Sequence, residues 1–168
     1  MIDLSFLDPA ASTVAARSPL EDAAAHAGLS DRSLVAKTEL QVGPGDAGAL
    51  GTLPPGRAGG LAGAWWCPLT PTRILVIGDP PTEVAAPVSA VTVTSGFVAV
   101  GLSGPRARVV LARVSALDLR RATKGSLLPG SVARIPAIVL CEGDDALLIL
   151  AGSAHAQYLW DTLVDAHA

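Results

Sequence analysis

Two glycine-containing motifs carry residue types that could hold a phosphate or attack a carbonyl group. The segment Gly43-Pro-Gly-Asp-Ala-Gly48 has the glycine spacing of dinucleotide-binding loops, which need a helix directly afterwards to face the pyrophosphate. Pro54 and Pro55 interrupt any such helix here. The segment Gly101-Leu-Ser-Gly104 contains a serine but lacks the G-x-S-x-G spacing of a nucleophile elbow, and Pro105 follows it. Neither motif predicts a nucleotide site or a serine nucleophile.

The cysteines and histidines are too dispersed in the sequence to predict a metal site or a proton relay. Cys67 and Cys141 each lie in an apolar, strand-like run, which predicts reduced and buried thiols. His26, His155 and His167 form no close-spaced ligand pair of the kind that zinc sites use. We expect the histidines to have surface or packing roles. The sequence therefore predicts no catalytic, cofactor-binding or metal-binding residue.

The element that organises the second half of the chain is a strand that leads directly into a helix. Apolar residues alternate over 97–102, as in a buried strand. Ser103 is expected to cap the following helix, with Pro105 at its first position. Over 107–114, apolar residues recur at i, i+3, i+4 and i+7, which indicates one apolar helix face.

Hydrophobic patterns and turn residues predict the remaining elements. A short helix is expected over 18–27, with Ser18 and Glu21 as a capping box, and a C-terminal helix is expected after Ser153. Strands are predicted at 34–42, 64–67, 73–77, 90–94, 131–135, 137–141 and 146–150. The turn-forming residues of 142–145 predict a hairpin between the last two strands.

The first predicted strand has one polar face, and two segments without periodicity lie after it in the sequence. Lys37, Glu39 and Gln41 alternate with apolar neighbours, which predicts a strand with one face in water. Residues 43–63 are rich in Gly, Pro and Ala without periodicity, so we expect a loop that orders against another surface. Residues 78–87, with three prolines, are expected to form a second connector.

The element order has too few parallel crossovers for a doubly wound sheet, so the predicted fold class is α+β with antiparallel-rich sheets and a few packed helices. The length of 168 residues fits one domain. We expect residues 1–17 to form an N-terminal arm. Residues 18–168 are then one domain, which could divide into subdomains at 18–88 and 89–168.

Composition restricts the classes of partner. Hydrophobic residues make up 50% of the chain and aromatic residues only 4%, which favours either apolar surface covered by a partner or a simple Ala and Gly bias. A net charge of −3 gives no global field for nucleic acid. The acidic Asp3 does not fit a signal peptide, and the apolar run 146–151 is too short for a membrane span. A cytoplasmic protein without membrane contact is expected.

Charge and tryptophan placement suggest a surface for a partner. Six of the twelve basic residues lie within 106–124, and acidic residues predominate after 134. The two charged faces either attract each other within the fold or leave a basic docking face for an acidic partner. Trp65 and Trp66 are adjacent in a strand and must point to opposite faces, so one packs in the core and the other contacts its own chain or a partner. The candidate partner-interface residues are Trp65, Trp66, Arg106, Arg113, Arg120 and Arg121.

Several segments together resemble one known family. They are Arg17-Ser-Pro-Leu20, Leu102-Ser-Gly-Pro-Arg-Ala107, Leu117-Asp-Leu119, Pro129-Gly-Ser131, Val132-Ala-Arg134 and Tyr158-Leu-Trp160. In this order, over about residues 17–166, the sequence resembles the gamma subunit of heterotetrameric sarcosine oxidase. The resemblance is most specific from residue 97 onward.

The resemblance implies the α+β fold of the folate-binding domain of glycine-cleavage T-protein. It also implies a non-catalytic assembly subunit, partnered by alpha, beta and delta subunits that oxidatively demethylate sarcosine to glycine with tetrahydrofolate as one-carbon acceptor. FAD, FMN, NAD and tetrahydrofolate are then expected in the partner subunits, and no cofactor in this chain. Thr92-Val-Thr-Ser95 stands where the family often has Asp-x-Ser, so an acid that T-protein-like chemistry uses is absent. Two alternatives are a stand-alone folate-binding or aminomethyltransferase-like protein, and a nucleic-acid binder that uses the basic segment 106–124.

Overall fold

A computed structural model of the chain describes residues 16–50, 54, 56–61, 63–79 and 87–168. Its strands are β1 (Leu29–Asp31), β2 (Lys37–Gln41), β3 (Gly59–Leu61), β4 (Ala64–Thr70), β5 (Arg73–Ile77), β6 (Ser89–Thr92), β7 (Phe97–Ser103), β8 (Leu127–Val132), β9 (Ile135–Gly143) and β10 (Ala146–Gly152). Its α-helices are α1 (Ala107–Val114) and α2 (Ala156–His167). Short 3-10 helices occupy Pro44–Leu50, Thr94–Gly96 and Ser153–His155. Most of the predicted arm, residues 1–15, lies outside the described residues.

The strands form two antiparallel five-stranded sheets, which confirms the predicted α+β class. The first sheet has the order β1-β7-β10-β9-β8, and the second has the order β3-β4-β5-β2-β6. Every strand pairing is antiparallel. The hairpin predicted around residues 142–145 is confirmed, since β9 and β10 pair on either side of a turn at residues 144–145.

The core has layers that follow strand alternation. One face of the first sheet packs against α1 and α2, with Val100, Val139 and Ile149 among the buried residues. The opposite face packs against the second sheet, where Leu148 and Leu75 belong to one cluster. A third cluster, on the outer face of the second sheet, contains Leu40, Ala64, Ile74 and Val76. The first sheet is therefore covered on both faces, because its strands are apolar on both alternating sets of positions.

The predicted helix over residues 18–27 is wrong. The segment forms turns, in which the Glu21 N–H donates to the carbonyl of Ser18 at 3.2 Å. The Ser18 hydroxyl does accept a bond from the Leu20 N–H at 3.0 Å, as a cap would, but it also donates to the Asp31 carboxylate. A single turn without continuing i→i+4 bonds does not propagate, and Leu20 is instead buried against the helical core.

Both predicted serine caps are also wrong. Ser103 is the last residue of β7, and Arg106 occupies the cap position of α1 without a side-chain hydrogen bond. The prediction that Pro105 is the first helical residue is therefore wrong too, since α1 begins at Ala107. Ser153 begins a 3-10 helix, so His155 occupies the cap position of α2. In each case an intervening turn of backbone supplies the first hydrogen bonds, as with the Ala107 N–H to the Gly104 carbonyl at 2.9 Å.

Several predicted strand boundaries differ from those in the structure. The strand predicted over 131–135 is wrong, because a two-residue turn at Ala133 and Arg134 divides it between β8 and β9. β4 extends beyond its predicted end through Pro68 to Thr70, where the register with β5 shifts at a bulge. The predicted loop 43–63 contains the Pro44–Leu50 3-10 helix and β3, while residues 51–53, 55 and 62 lie outside the described part. Of the connector 78–87, residues 80–86 lie outside it.

The prediction that β2 has one wet face is wrong. Lys37 and Glu39 are 0% and 4% exposed. In the register they lie opposite Ile77 and Leu75, on the face turned toward the first sheet. Alternation located the two faces of β2 correctly, but the fold covers both of them, since Thr38 and Leu40 of the other face are also buried.

Candidate functional site

The described residues contain no group of three or more His, Cys, Asp or Glu side chains that could hold a metal ion. Both thiols are buried and reduced, as predicted. Burial raises the pKa of Cys67 to about 12, and burial also raises the pKa of Cys141. Because the thiolate is the nucleophile, neither side chain is poised to react near neutral pH.

The histidines have the packing and surface positions expected of them. The rings of His26 and His167 lie edge to face with centroids 4.8 Å apart, where the start of β1 meets the end of α2. His155 is exposed in the turn before α2. No helix in the described part of the chain is long and apolar enough to cross a membrane.

The two glycine motifs have structural explanations. Residues 44–48 of the first motif lie in the 3-10 helix Pro44–Leu50, which is broken at Asp46, and no α-helix follows within the described residues up to 61. In the second motif, Gly101 lies directly opposite Ser30 of β1, and a Cβ at that position would collide with the Ser30 hydroxyl. The glycine therefore permits the close pairing of β1 with β7.

Trp65 and Trp66 point to opposite faces of β4, as the sequence predicted. Trp65 packs with the cluster between the sheets, and its ring lies 3.9 Å from the position of a Cβ at Gly125, so it contacts a loop of its own chain. Trp66 is half-buried on the outer face of the second sheet. Of the two, Trp66 is the side chain that faces away from the first sheet.

Trp66 belongs to an apolar surface that we call the outer patch. Four buried residues form its floor, and three partly buried residues cover that floor; the covering residues are Leu50, Trp66 and Val88. Leu50 ends the 3-10 helix that follows β2, and Val88 precedes β6. Of these three covering residues, only Trp66 is of a type that is enriched in protein-binding surfaces.

The four candidate arginines lie elsewhere. Arg106 precedes α1 and is exposed. Arg113, in the last turn of α1, donates to the Ala166 carbonyl at 2.7 Å, which satisfies the C-terminal end of α2. Arg120 donates twice to the exposed Asp118, and this guanidinium lowers the pKa of Asp118 to about 2. Arg121 is exposed in the same loop.

The six candidate interface residues therefore do not form one surface. α1 covers the first sheet on its helical side, whereas Trp66 lies on the far side of the second sheet. Within the described residues, no ion pair joins the basic segment 106–124 to the acidic residues after 134. Arg108 instead donates to the backbone carbonyls of Leu119, Ala122 and Asp144. Of these three bonds, only the one to Asp144 joins the basic segment to the acidic residues after 134, and it uses a backbone carbonyl and not a carboxylate.

Sequence reasoning missed a group of buried charges between the sheets. The Lys37 ammonium donates to the carbonyls of Ser33 at 2.9 Å and Val35 at 2.7 Å, and its burial lowers its pKa to about 8. Glu39 accepts two bonds from Arg73, at 2.7 and 2.6 Å, and these hydrogen bonds lower the pKa of Glu39. The charged residues of β2 were visible in the sequence, but the covering of that face by another sheet was not.

Comparison with solved structures identifies the fold. No protein-family model matches the chain, and no curated protein matches it. A chain of heterotetrameric sarcosine oxidase from Corynebacterium sp. U-96, solved in complex with pyrrole 2-carboxylate, matches with a TM-score of 0.75 and 21% identity, over 90% of this chain and 94% of that chain. Glycine cleavage system aminomethyltransferase T from Bartonella henselae matches with a TM-score of 0.62 and 20% identity, over 83% of this chain. The present chain spans 45% of that aminomethyltransferase. The fold is therefore T-protein-like, and the predicted fold is confirmed.

Proposed function

We propose that this chain is a non-catalytic, gamma-type subunit of a heterotetrameric sarcosine oxidase-type complex. The observation that carries the proposal is the reciprocal coverage of the first comparison, 90% of this chain and 94% of the sarcosine oxidase chain. The aminomethyltransferase is a larger protein, of which this chain spans 45%. The T-protein-like fold therefore makes up nearly the whole of this chain and nearly the whole of the matched oxidase chain.

The chemistry of the described residues agrees with an assembly role. The buried thiols have raised pKa values, and the described part of the chain brings together no metal-ligating cluster. We propose that alpha, beta and delta subunits hold FAD, FMN, NAD and tetrahydrofolate and carry out the demethylation of sarcosine. This chain would then contribute surface and not reactive groups.

The outer patch is the surface that we assign to the partner contact. Trp66 supplies a large apolar area at its edge, and indole rings are over-represented among residues that dominate binding energies. The arginines of the α1 side form a separate surface, of which Arg113 and Arg120 are already engaged within the chain. We therefore place the main contact on the second sheet, and assign Arg106 and Arg121 at most a secondary one.

Co-expression with the alpha, beta and delta subunits tests this proposal. Size-exclusion chromatography should show the chain eluting with the complex, and Trp66→Ser should weaken its retention by at least tenfold in dissociation constant. Tyr158→Ser is the matched control, because Tyr158 is an exposed aromatic residue on α2, on the opposite side of the molecule. A chain that stays apart from the other subunits would contradict the proposal. Equal weakening by both variants would contradict the assignment of the outer patch.

A folate-binding or one-carbon transfer protein is the second candidate, favoured by the match of the aminomethyltransferase fold over 83% of this chain. Calorimetric titration of the isolated chain with tetrahydrofolate separates the two candidates. The subunit proposal predicts no heat of binding beyond dilution. Saturable binding by the chain alone would favour the second candidate.

A further inference from the structure

Two successive turns place exposed cations at the corners of the loop between α1 and β8. In each of the turns 119–122 and 123–126, the last N–H donates to the first carbonyl, at 3.2 and 2.8 Å. Arg121 is a corner residue of the first turn and Lys124 of the second. Both side chains are therefore held out from the core, and both residues are exposed.

A third cation reaches the same loop from the second sheet. Arg57 forms an isolated bridge with Ser126, and its guanidinium donates to the Thr123 hydroxyl at 2.9 Å and to the Ser126 hydroxyl at 3.4 Å. Arg57 is exposed. Because 66 positions separate Arg57 from Thr123 in the sequence, local patterns do not indicate this contact.

Backbone contacts fix the position of the loop against both sheets. The Ala58 N–H donates to the Gly125 carbonyl at 2.7 Å, and the Gly125 N–H donates to the Cys141 carbonyl at 2.7 Å. Gly125 has a φ of +82°, and a Cβ there would lie 3.0 Å from the Ala58 carbonyl oxygen. Since the loop is already ordered, a partner that binds it would lose little backbone entropy.

The three cations of this loop lack carboxylate partners. Within the part of the chain that the structure describes, none of them takes part in a salt bridge, whereas Arg120 is paired with Asp118 at 2.9 Å. We call this surface the basic rim; its residues are Arg57, Arg121 and Lys124. The basic rim is a local excess of positive charge on a chain whose net charge is −3.

The nearby acidic residues lie toward one end of the basic rim. Asp144 and Asp145 are exposed in the β9–β10 turn, and Arg108 of α1 donates both to the Asp144 carbonyl and to the Ala122 carbonyl of the loop. These acids are thus at the α1 end of the loop, where Arg121 lies. The positive excess is therefore greatest at the other end, beside Arg57.

The Arg57 end of the basic rim borders the outer patch. Arg57 is two residues before Gly59 of β3, a distance of about 7 Å along an extended chain, and Gly59 is directly opposite Trp66 in the register. The basic rim therefore runs from the α1 side of the molecule to the edge of the outer patch. An apolar centre with a charged margin is the usual arrangement of a protein–protein interface.

We propose that the basic rim binds an acidic segment, rich in Asp and Glu, of the subunit that covers the outer patch. This inference rests on the proposed function, and adds the chemistry that the partner must present beside Trp66. An acidic protein segment fits better than nucleic acid, because the net charge of −3 gives no long-range attraction for a polyanion. Contacts between exposed charges at such a margin contribute modestly and are screened by salt.

The salt dependence of assembly tests the proposal. The complex co-expressed with the alpha, beta and delta subunits is diluted at about 0.1 M and about 1 M NaCl, where the screening length falls from about 10 Å to about 3 Å, and size-exclusion chromatography gives the dissociation constant. The double variant Arg121→Gln/Lys124→Gln should weaken binding about fivefold at the lower concentration and leave it unchanged at the higher one. Trp66→Ser should weaken binding at both, because burial of apolar area is not screened.

Arg106→Gln/Arg134→Gln is the matched control, since it removes the same charge from exposed positions before α1 and in the β8–β9 turn. It should bind as the parent chain does. Equal weakening by the two double variants, an unchanged dissociation constant for Arg121→Gln/Lys124→Gln, or a loss that persists at the higher salt concentration would each overturn the basic rim.

Two further outcomes separate the basic rim from the proposed function. A chain that never joins the other subunits would contradict the proposed function and the basic rim together, whereas a chain that joins them without a salt-dependent loss in Arg121→Gln/Lys124→Gln would contradict the basic rim alone. Binding of a single-stranded RNA probe that this double variant abolishes would assign the surface to nucleic acid and overturn the acidic partner.

Discussion

The two sheets have the same number of strands but different surroundings. The first sheet has α1 and α2 on one face and the second sheet on the other, and the described residues of its middle strand β10 are almost wholly apolar. The second sheet has buried charges on its inner face and the outer patch on its other face. Its edge strand β6 is exposed at all four positions. The first sheet therefore contributes most of the apolar core, whereas the second sheet has both buried charges and an exposed edge strand.

The largest loss of stability is expected from a substitution that creates a cavity beside the first sheet. Leu148 is fully buried between the two sheets, so Leu148→Ala should lower the free energy of unfolding by about 2–5 kcal/mol. Urea denaturation measures the change. Val109→Ala, at an exposed apolar position on α1, should change it by less than about 0.5 kcal/mol. Similar losses in both variants would contradict the placement of the main core.

The buried Lys37 ammonium group of the second sheet predicts that the stability of the fold depends on pH in the alkaline range. The pKa of Lys37 falls from 10.5 to about 8 on folding, because burial disfavours its charge. The unfolded chain then binds more protons between pH 8 and 10.5, so stability should rise with pH across that window. Relative to Lys37→Met, the parent chain should gain about 2–3 kcal/mol from pH 8 to 10.5. Urea titrations at several pH values measure this difference.

Lys124→Met is the control for that experiment, because Lys124 is exposed in the loop before β8. It should keep the pH dependence of the parent chain. A parent chain and a Lys37→Met variant with parallel pH profiles would show that the ammonium group is not buried between the sheets.

The Glu39–Arg73 pair predicts a smaller change in stability, in the acidic pH range. Hydrogen bonds from Arg73 lower the pKa of Glu39, so its stabilising contribution is present above about pH 4.5 and is lost as the pH falls through the folded-state pKa. Because the Arg73 side chain is 48% exposed, Glu39→Gln should lower stability by only about 1–2 kcal/mol at pH 7. The variant should also unfold with a weaker dependence on pH below 4.5.

Asp118→Asn serves as the comparison for Glu39→Gln, since Asp118 and Arg120 form an ion pair in solvent. Thermal denaturation should show no resolvable loss for this variant. If it were the more damaging of the two, the inner face of the second sheet would not be the covered one.

The smallest effect is expected at the open edge of the second sheet. Val91 of β6 is 48% exposed, so Val91→Thr should change the free energy of unfolding by less than about 0.5 kcal/mol. Chemical denaturation of the two proteins side by side measures this. A loss above 1 kcal/mol would show that β6 is covered as the strands of the first sheet are.

Much of the fold could be predicted because hydrophobic periodicity is a local property. The alternation over 97–102, the apolar helix face at 107–114 and the turn-forming residues 142–145 located β7, α1 and the last hairpin, although the helix was predicted to begin earlier, at Pro105. Caps and turns were less predictable, because Ser103 and Ser153 could each end a strand or begin a helix. Nothing in the local sequence requires the left-handed turn at Ala133 and Arg134, which the pairing of β8 with β9 imposes.

The properties of the candidate site also divide into those that follow from local sequence and those that depend on tertiary contacts. The sequence by itself determined that the thiols are buried and that the tryptophans face opposite ways, because these properties depend on residue type and on the two-residue repeat of a strand. Only the tertiary structure decided that Lys37 is buried, that the arginines and Trp66 lie on different sides, and that Arg57 reaches the loop of the basic rim. Those facts depend on which elements meet, and contacts between residues distant in sequence leave no signal in local periodicity.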